Sequence, residues 1–298
     1  MYPRPFHYHR ATSLQQAAGM LADLGEEAKL LAGGQSLIPL MKLRFASPQH
    51  LVDLNFISGL SYVRQDGDRI VIGPLARHAE IAASAAGRQM AILHDCASGI
   101  ADVQVRNRGT LAGSIAEADP SGDWSPVLLT LDTEVVCLSP NRERTVPLGK
   151  FITDAYTTVL GPAELIREIR VKLPPGRSGG AYVAYKRSAP VYATASAAAH
   201  LTLGDGDICT RAAIALGCVG LTTIYAEQAA QALEGQPITA KSIEAAADTA
   251  RQAADPQPDL RGSVEYKRTL VAALVKRAIQ AAARRARGEQ VEMSHEYA

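Results

Sequence analysis

The chain has 298 residues, 47% hydrophobic and 20% charged, with 31 basic against 30 acidic side chains and a formal net charge of +1. That length allows two domains with sizeable cores, and the near-neutral balance gives no electrostatic reason to expect nucleic acid or a membrane surface as partner. No apolar run opens the sequence and no window of about 18 uninterrupted apolar residues occurs, so neither a signal peptide nor a membrane span is expected, and the expected compartment is the cytoplasm.

From Thr12 to Leu24, the residues Leu14, Ala17, Ala18, Leu21 and Leu24 recur at helical spacing, with Thr12 or Ser13 as N-cap and Gly25 as the stop. A short apolar strand, Leu30 to Ala32, is then broken by Gly33 and Gly34, and Leu37, Ile38, Leu40, Met41 and Leu43 continue as a helix. Adjacent glycines let backbone N–H groups approach a ligand without an intervening Cβ, and Ser36 adds a hydroxyl where the helix leaves its first amides unpaired. Such a turn suits a phosphate or pyrophosphate, although a strand-to-helix Gly-Gly is often nothing more than a turn. Neither G-x-G-x-x-G nor G-x-x-x-x-G-K-[ST] is present. A strand at His50 to Leu54 completes a β-α-β-α-β unit ending near residue 57, with Asp53 expected as a solvated strand-end carboxylate.

Residues 61 to 73 alternate apolar and polar around Asp66-Gly67 and predict a hairpin. Helices are expected at Arg77 to Ala85 and Gln89 to Ile100; His78 and His94 lie in them without a second metal-ligand partner at i+3 or i+4, so both read as surface or packing residues. Residues 106 to 124, RNRGTLAGSIAEADPSGDW, form a second glycine-rich stretch that joins Gly109, Ala112 and Gly113 to the hydroxyls of Thr110 and Ser114 and to Glu117, Asp119 and Asp123. A helix from Trp124 to Leu131, begun by Asp123 as N-cap, precedes strands at Glu134 to Leu138, Arg144 to Leu148 and Leu165 to Leu173.

The run Pro174-Pro175-Gly176 with Ser178-Gly179-Gly180 marks a boundary. Beyond it, Tyr182 to Arg187, Ala193 to Leu203 and Ile208 to Cys218 predict an antiparallel meander turning at residues 204 to 207, followed by helices at Ile224 to Leu233, Lys241 to Ala253 and Ser263 to Arg287. Arg284, Arg285 and Arg287, near the end of the last helix, are accounted for by its macrodipole. Cys96, Cys137, Cys209 and Cys218 lack C-x-x-C spacing and read as small buried residues, which leaves no iron–sulfur or structural metal site expected in this chain.

Taken together, AGGQSLIPLMKLR, HLVDLNFI, VIGPLARHAEI, the T-x-x-G-[NS] turn at 110 to 114, DPSGD, EIRVKLP and YKRSAPVYATASAA resemble, in order and spacing, the FAD-binding medium subunit of the molybdenum hydroxylases, the group containing aerobic carbon monoxide dehydrogenase and xanthine dehydrogenase. The resemblance runs nearly end to end. It implies an α+β fold: a two-subdomain FAD-binding domain of the molybdenum hydroxylase flavoprotein (PCMH) type over residues 1 to 175, divided near 57, then a small antiparallel sheet with helices over 176 to 298. Leu31, Ala32, Gly33, Gly34, Gln35, Ser36 and Leu37 match the first FAD segment, and Thr110, Ala112, Gly113 and Ser114 the second. By the same resemblance Ile100 and Ile166 are apolar flavin contacts, Asp123 serves the nucleotide end of FAD, Lys186 lies near the flavin ring and Tyr192 packs on it. From the residues alone, Ile100 and Ile166 would be core, Asp123 a helix cap and Lys186 a solvated strand lysine.

The resemblance further implies partners: a small subunit with two [2Fe-2S] clusters and a large subunit with a molybdenum-pterin cofactor, assembled as a dimer of heterotrimers, with FAD passing electrons to an external acceptor such as NAD, a quinone or oxygen. Carbon monoxide dehydrogenase-like chains read T-I-G-G-N and then A-N-G-D-P, whereas here Ala112 replaces a glycine, Ser114 an asparagine and Glu117-Ala118 the Asn-Gly. These departures lean towards an N-heterocycle, aldehyde or other organic substrate. Two rival expectations stand beside an electron-transfer subunit: a self-contained FAD oxidoreductase and a flavin-free scaffold.

Overall fold

A computed structural model describes residues 2–293 and the backbone of residues 296–297. The chain opens with β1 (His7–Arg10), α1 (Leu14–Leu24), β2 (Ala28–Leu31), α2 (Leu37–Leu43) and β3 (His50–Asp53). The three strands form a parallel sheet in the order β1-β3-β2, as β-α-β connections require. Ser13 caps α1 by accepting from Gln16 N, and Gly25, at φ +63°, ends it. Ala17, Ala18 and Leu21 are the buried face of α1, and the first two pack with Val52 and Leu54. Asp53 is a correction. Rather than solvated, it is 5% exposed, and its carboxylate accepts from the Tyr8 hydroxyl (2.5 Å), Asn55 N (2.8 Å) and Asn55 Nδ2 (2.7 Å).

The middle of the chain comprises β4 (Val63–Asp66), β5 (Arg69–Ile72), α3 (His78–Ala83), α4 (Ala85–Gln89), α5 (Ala91–Gly99), α6 (Val103–Arg106), α7 (Leu111–Glu117), α8 (Trp124–Leu129), β6 (Thr133–Leu138), β7 (Glu143–Pro147), β8 (Ile152–Asp154), β9 (Thr157–Thr158) and β10 (Leu165–Lys172). Five of these strands make an antiparallel sheet, β4-β5-β10-β6-β7, whose β4–β5 hairpin turns through Gly67 at φ +60°. Its core, with Ile70, Ile72, Val135 and Ile169, packs against α5 and α8 through Leu93, Cys96, Trp124 and Leu128.

The third part contains β11 (Ser178–Lys186), β12 (Ala195–Leu203), β13 (Cys209–Gly217), β14 (Ile224–Tyr225), α9 (Glu227–Gln231), α10 (Ala240–Ala253), α11 (Val264–Ala286) and β15 (Glu296–Tyr297). The meander is present, ordered β14-β13-β12-β11-β15, with β15 parallel to β11. The helix expected from Ile224 instead starts as strand: Ile224 and Tyr225 pair with β13, and only Glu227–Gln231 is helical. Side chains alternate between two cores along β11, Ala181 and Val183 joining α11 while Tyr182 and Ala184 join the core of the middle sheet.

The arginine cluster ending α11 is only in part a macrodipole matter. Arg285, with a side chain 8% exposed, forms a bidentate pair with the 2% exposed Asp95 of α5 (2.6 and 2.9 Å) and donates to Gly180 O and Val291 O. Arg284 and Arg287 make exposed pairs with Glu289 and Asp207. All four cysteines are free; Cys96, Cys137 and Cys209 are buried and Cys218 is half-buried. Among the described residues no helix is long and apolar enough to cross a membrane.

Candidate functional site

A cleft of about 1080 Å³ opens between the parallel sheet, the middle sheet and β11. It is slightly larger than the roughly 300–1,000 Å³ usual for small-molecule pockets, room enough for an extended dinucleotide. Ala32, Gly33, Gly34, Gln35, Ser36 and Leu37 line it, as do Ile100, Thr110, Ala112, Gly113, Ser114, Asp123, Ile166, Lys186 and Tyr192. Leu31 does not line it; its carbonyl accepts from Leu54 N and Asn55 Nδ2 and so anchors the turn from behind.

The first turn presents donors. Among the described residues, the amides of Gly33, Gly34, Gln35, Ser36 and Leu37 have no protein acceptor, the next donor bond being Ile38 N to Gly34 O at 3.1 Å. The Ser36 hydroxyl makes no capping bond within α2, which leaves it available to the cleft. Gly34 sits at φ +74°, where a side chain is strained. At Gly33 the constraint differs from the one the sequence suggests: a Cβ there would lie 2.3 Å from the Arg108 carbonyl oxygen and 2.8 Å from Gly109 Cα. The two glycine stretches touch backbone to backbone.

A polar chain fixes this contact. Asn55 donates to Ala32 O (2.8 Å), and the Arg77 guanidinium reaches both Asn55 Oδ1 (2.5 Å) and the Arg108 carbonyl. Asp53 orients Asn55 from behind. Asn55 and Arg77 were not anticipated from sequence, since a loop asparagine and a helix-opening arginine carry no signal of a shared partner. In the second stretch Thr110 caps α7, its Oγ1 accepting from Gly113 N at 3.0 Å; a Cβ on residue 113 would lie 2.7 Å from that oxygen, so glycine allows the cap to close.

Deeper in the cleft, Lys186 is 1% exposed and therefore not a solvated lysine. Its Nζ donates to Gly99 O (2.8 Å) and lies 3.3 Å from Asp123 Oδ1. That same oxygen accepts from the buried Tyr182 hydroxyl at 2.7 Å. Asp123 does not act as the N-cap of α8: its backbone is helical, φ −74° and ψ −28°, and its side chain makes no capping bond. Asp123 and Lys186, expected from the resemblance at the nucleotide and ring ends of FAD, are brought together here as one ion pair. Ile100 and Ile166 are 8% and 6% exposed, at the edge of the middle core where it meets the cleft.

His78 is a packing residue, as expected, but one that lines the cleft. It is 4% exposed, Trp124 Nε1 donates to its Nδ1 (3.1 Å), and burial lowers its pKa to about 4, so it is neutral near pH 7. His94 remains at the surface, its Nδ1 3.0 Å from Ala82 O. At the rim, Tyr192 is 48% exposed with Arg261 5.7 Å from its ring centroid; burial, and then the neighbouring Asp119, raise its pKa. Burial and Asp119 also raise the pKa of Glu117, which stands where the resembled family has Asn. Among the described residues no cluster of three or more His, Cys, Asp or Glu side chains is arranged to hold a metal ion.

The donor set fits FAD: a row of free amides for a pyrophosphate, a glycine contact that a Cβ would fill, and an apolar wall with one buried ammonium. Comparison with known proteins agrees. Residues 4–174 match the family described as "FAD binding domain in molybdopterin dehydrogenase", and residues 180–282 match "CO dehydrogenase flavoprotein C-terminal domain". The chain is 38% identical to the alpha subunit of the 6-hydroxypseudooxynicotine dehydrogenase complex of Paenarthrobacter nicotinovorans, covering 99% of this chain and 100% of that one. Among solved structures it resembles carbon monoxide dehydrogenase from Hydrogenophaga pseudoflava (TM-score 0.91, 40% identity, 95% and 98% of the two chains) and quinoline 2-oxidoreductase from Pseudomonas putida 86 (TM-score 0.90, 31% identity, 96% and 99%). The chain therefore belongs to the molybdenum hydroxylase family as an FAD-binding flavoprotein subunit of an oxidoreductase complex.

Proposed function

We propose that this chain is the electron-transfer subunit of its complex, taking electrons from [2Fe-2S] clusters of a small partner subunit and delivering them through FAD to an external acceptor. Bound FAD supplies the ability to exchange electrons one or two at a time. The observation that carries the assignment is the meeting of two glycine stretches at one cleft, with five free amides on the first. In this reading Ala32 to Ser36 hold the pyrophosphate, with Leu31 and Leu37 supporting them, and Thr110, Ala112, Gly113 and Ser114 complete the wall. Ile100 and Ile166 meet the flavin, Tyr192 covers it from the rim, and Lys186 with Asp123 lies at one and the same end of the cofactor. The Lys186 ammonium stabilises negative charge that develops nearby on reduction.

Residues 1–175 form the FAD-binding domain, subdivided near 57, and residues 176–298 the second domain, which lends Lys186 and Tyr192 to the cleft. Substrate oxidation belongs to a large molybdenum-cofactor subunit, and the complex is a dimer of heterotrimers. The related enzymes are named for substrates as unlike as 6-hydroxypseudooxynicotine, carbon monoxide and quinoline, which suits a flavin subunit that does not itself choose the substrate.

The test is coexpression with candidate small and large subunits, size exclusion, and an absorption spectrum of the purified material. Coelution with flavin and iron–sulfur bands is expected. A chain that elutes alone, keeps its flavin and turns over a substrate unaided would make it a self-contained oxidoreductase, and a colourless protein in excess FAD would make it a scaffold.

A further inference from the structure

Tyr182 belongs to the second domain, yet both its ends are bound to carboxylates of the first. Its backbone N donates to Asp95 Oδ2 at 3.1 Å, and its hydroxyl donates to Asp123 Oδ1 at 2.7 Å. Asp95 is itself clamped by Arg285, so the strand carrying Tyr182 is held in fixed register on α5. Four residues further along the same face of β11, Lys186 binds the last carbonyl of α5, Gly99 O. Asp123 Oδ1 thus receives the Tyr182 phenol and the Lys186 ammonium, while its other oxygen has no partner among the described residues and Asp123 lines the cleft.

We propose that Tyr182 is a positioning residue that tunes the flavin through Asp123, by donating to Oδ1 and so damping the negative charge that this carboxylate presents to the cleft. Burial, and next the charge of Asp123, hold the Tyr182 pKa well above its ordinary value, so the phenol keeps its proton and remains a donor. Lys186 and Asp123 act on the cleft with opposite signs. Whatever weakens the carboxylate favours added electrons there, and whatever leaves it less well satisfied disfavours them. The inference rests on FAD occupying this cleft.

The signs give the test. In excess FAD, the midpoint potential and the visible spectrum of the flavin are measured for the wild-type chain and for Tyr182→Phe, Asp123→Asn and the double variant. Tyr182→Phe, which keeps the buried ring, should retain flavin and lower the potential. Asp123→Asn should raise it, and the double variant should match Asp123→Asn, since the phenol acts through the carboxylate. An unmoved potential in Tyr182→Phe, or a shift that persists when Tyr182→Phe is added to Asp123→Asn, overturns the proposal while leaving the cofactor assignment intact. Should Tyr182→Phe prove insoluble, Asp123→Asn decides, an unchanged or lowered potential being the refutation. A wild-type chain that takes up no FAD overturns both.

Discussion

Replacing Gly33 and Gly34 separately by alanine should have unequal consequences, because the two glycines are required for different reasons. A Cβ on residue 33 would sit 2.3 Å from the Arg108 carbonyl oxygen, a backbone atom tied down by Arg77. Ordinary van der Waals contact begins at 3.4 Å, so the two glycine stretches would have to separate by about 1 Å in a region packed too densely to absorb it. If the separation costs two charge-assisted hydrogen bonds to the pyrophosphate, each worth about 1.5–3 kcal/mol, FAD affinity falls on the order of a hundredfold or more. At residue 34 the added Cβ would meet the tip of the Ile38 side chain, which can turn aside, and the remaining cost is that of a left-handed residue, about 1–2 kcal/mol of stability. Flavin-fluorescence titration of apoprotein with FAD measures the first effect and urea unfolding the second. An FAD affinity within about threefold of wild type in Gly33→Ala, less than 1 kcal/mol, would refute the claim that backbone contact between the two stretches builds the site.

Arg285→Met takes from the buried Asp95 carboxylate its guanidinium partner, leaving it the Tyr182 amide, and should cost about 3–5 kcal/mol in urea unfolding; adding Asp95→Asn should recover much of it, and a loss under about 1 kcal/mol would show that the pair contributes little. Lys186→Met should lower the flavin potential by on the order of 1 kcal/mol equivalent and also destabilise the fold, because Asp123 keeps Tyr182 but loses its cation; redox titration with a parallel melt checks both. Burial lowers the pKa of His78 and of His200 to about 4. An unfolded histidine, titrating near 6.5, binds a proton between those values while the folded one does not, so stability falls as pH drops through that window, by about 2 kcal/mol per histidine from pH 7 to pH 5. His78→Gln, which preserves an acceptor for Trp124, should flatten the pH dependence of urea unfolding, and an equal slope in variant and wild type would contradict this.

Local pattern sufficed for the N-terminal unit, the Asp66-Gly67 hairpin and the meander, because alternation and turn chemistry act over a few residues. It also located both glycine stretches. Charges were harder to read. Asp53, Lys186 and Arg285 each look solvated in their own neighbourhoods, and each is buried because a partner comes from far along the chain, 190 residues away for Asp95 and Arg285. Asp123 illustrates the same limit: a carboxylate before a helix has the pattern of a cap, and nothing nearby shows that a phenol and an ammonium from another sheet will claim it. At Ile224, pairing with β13 overrides a helical pattern.

The strands β11 and β12 form a party wall. One side, with Ala181, Val183, Ala195, Ala197 and Ala199, faces α11; the other, with Tyr182, Ala184 and Ala198, faces the core of the middle sheet. Alanine and glycine keep that wall thin: a Cβ on Gly179 would fall 2.3 Å from Ala282 O. A thin wall transmits displacement. Swelling the far room, for instance with a larger side chain at the buried Ala282 of α11, would push β11 bodily and carry Tyr182 and Lys186 with it, so that the colour and potential of the flavin would register a change with no line of sight to the cofactor.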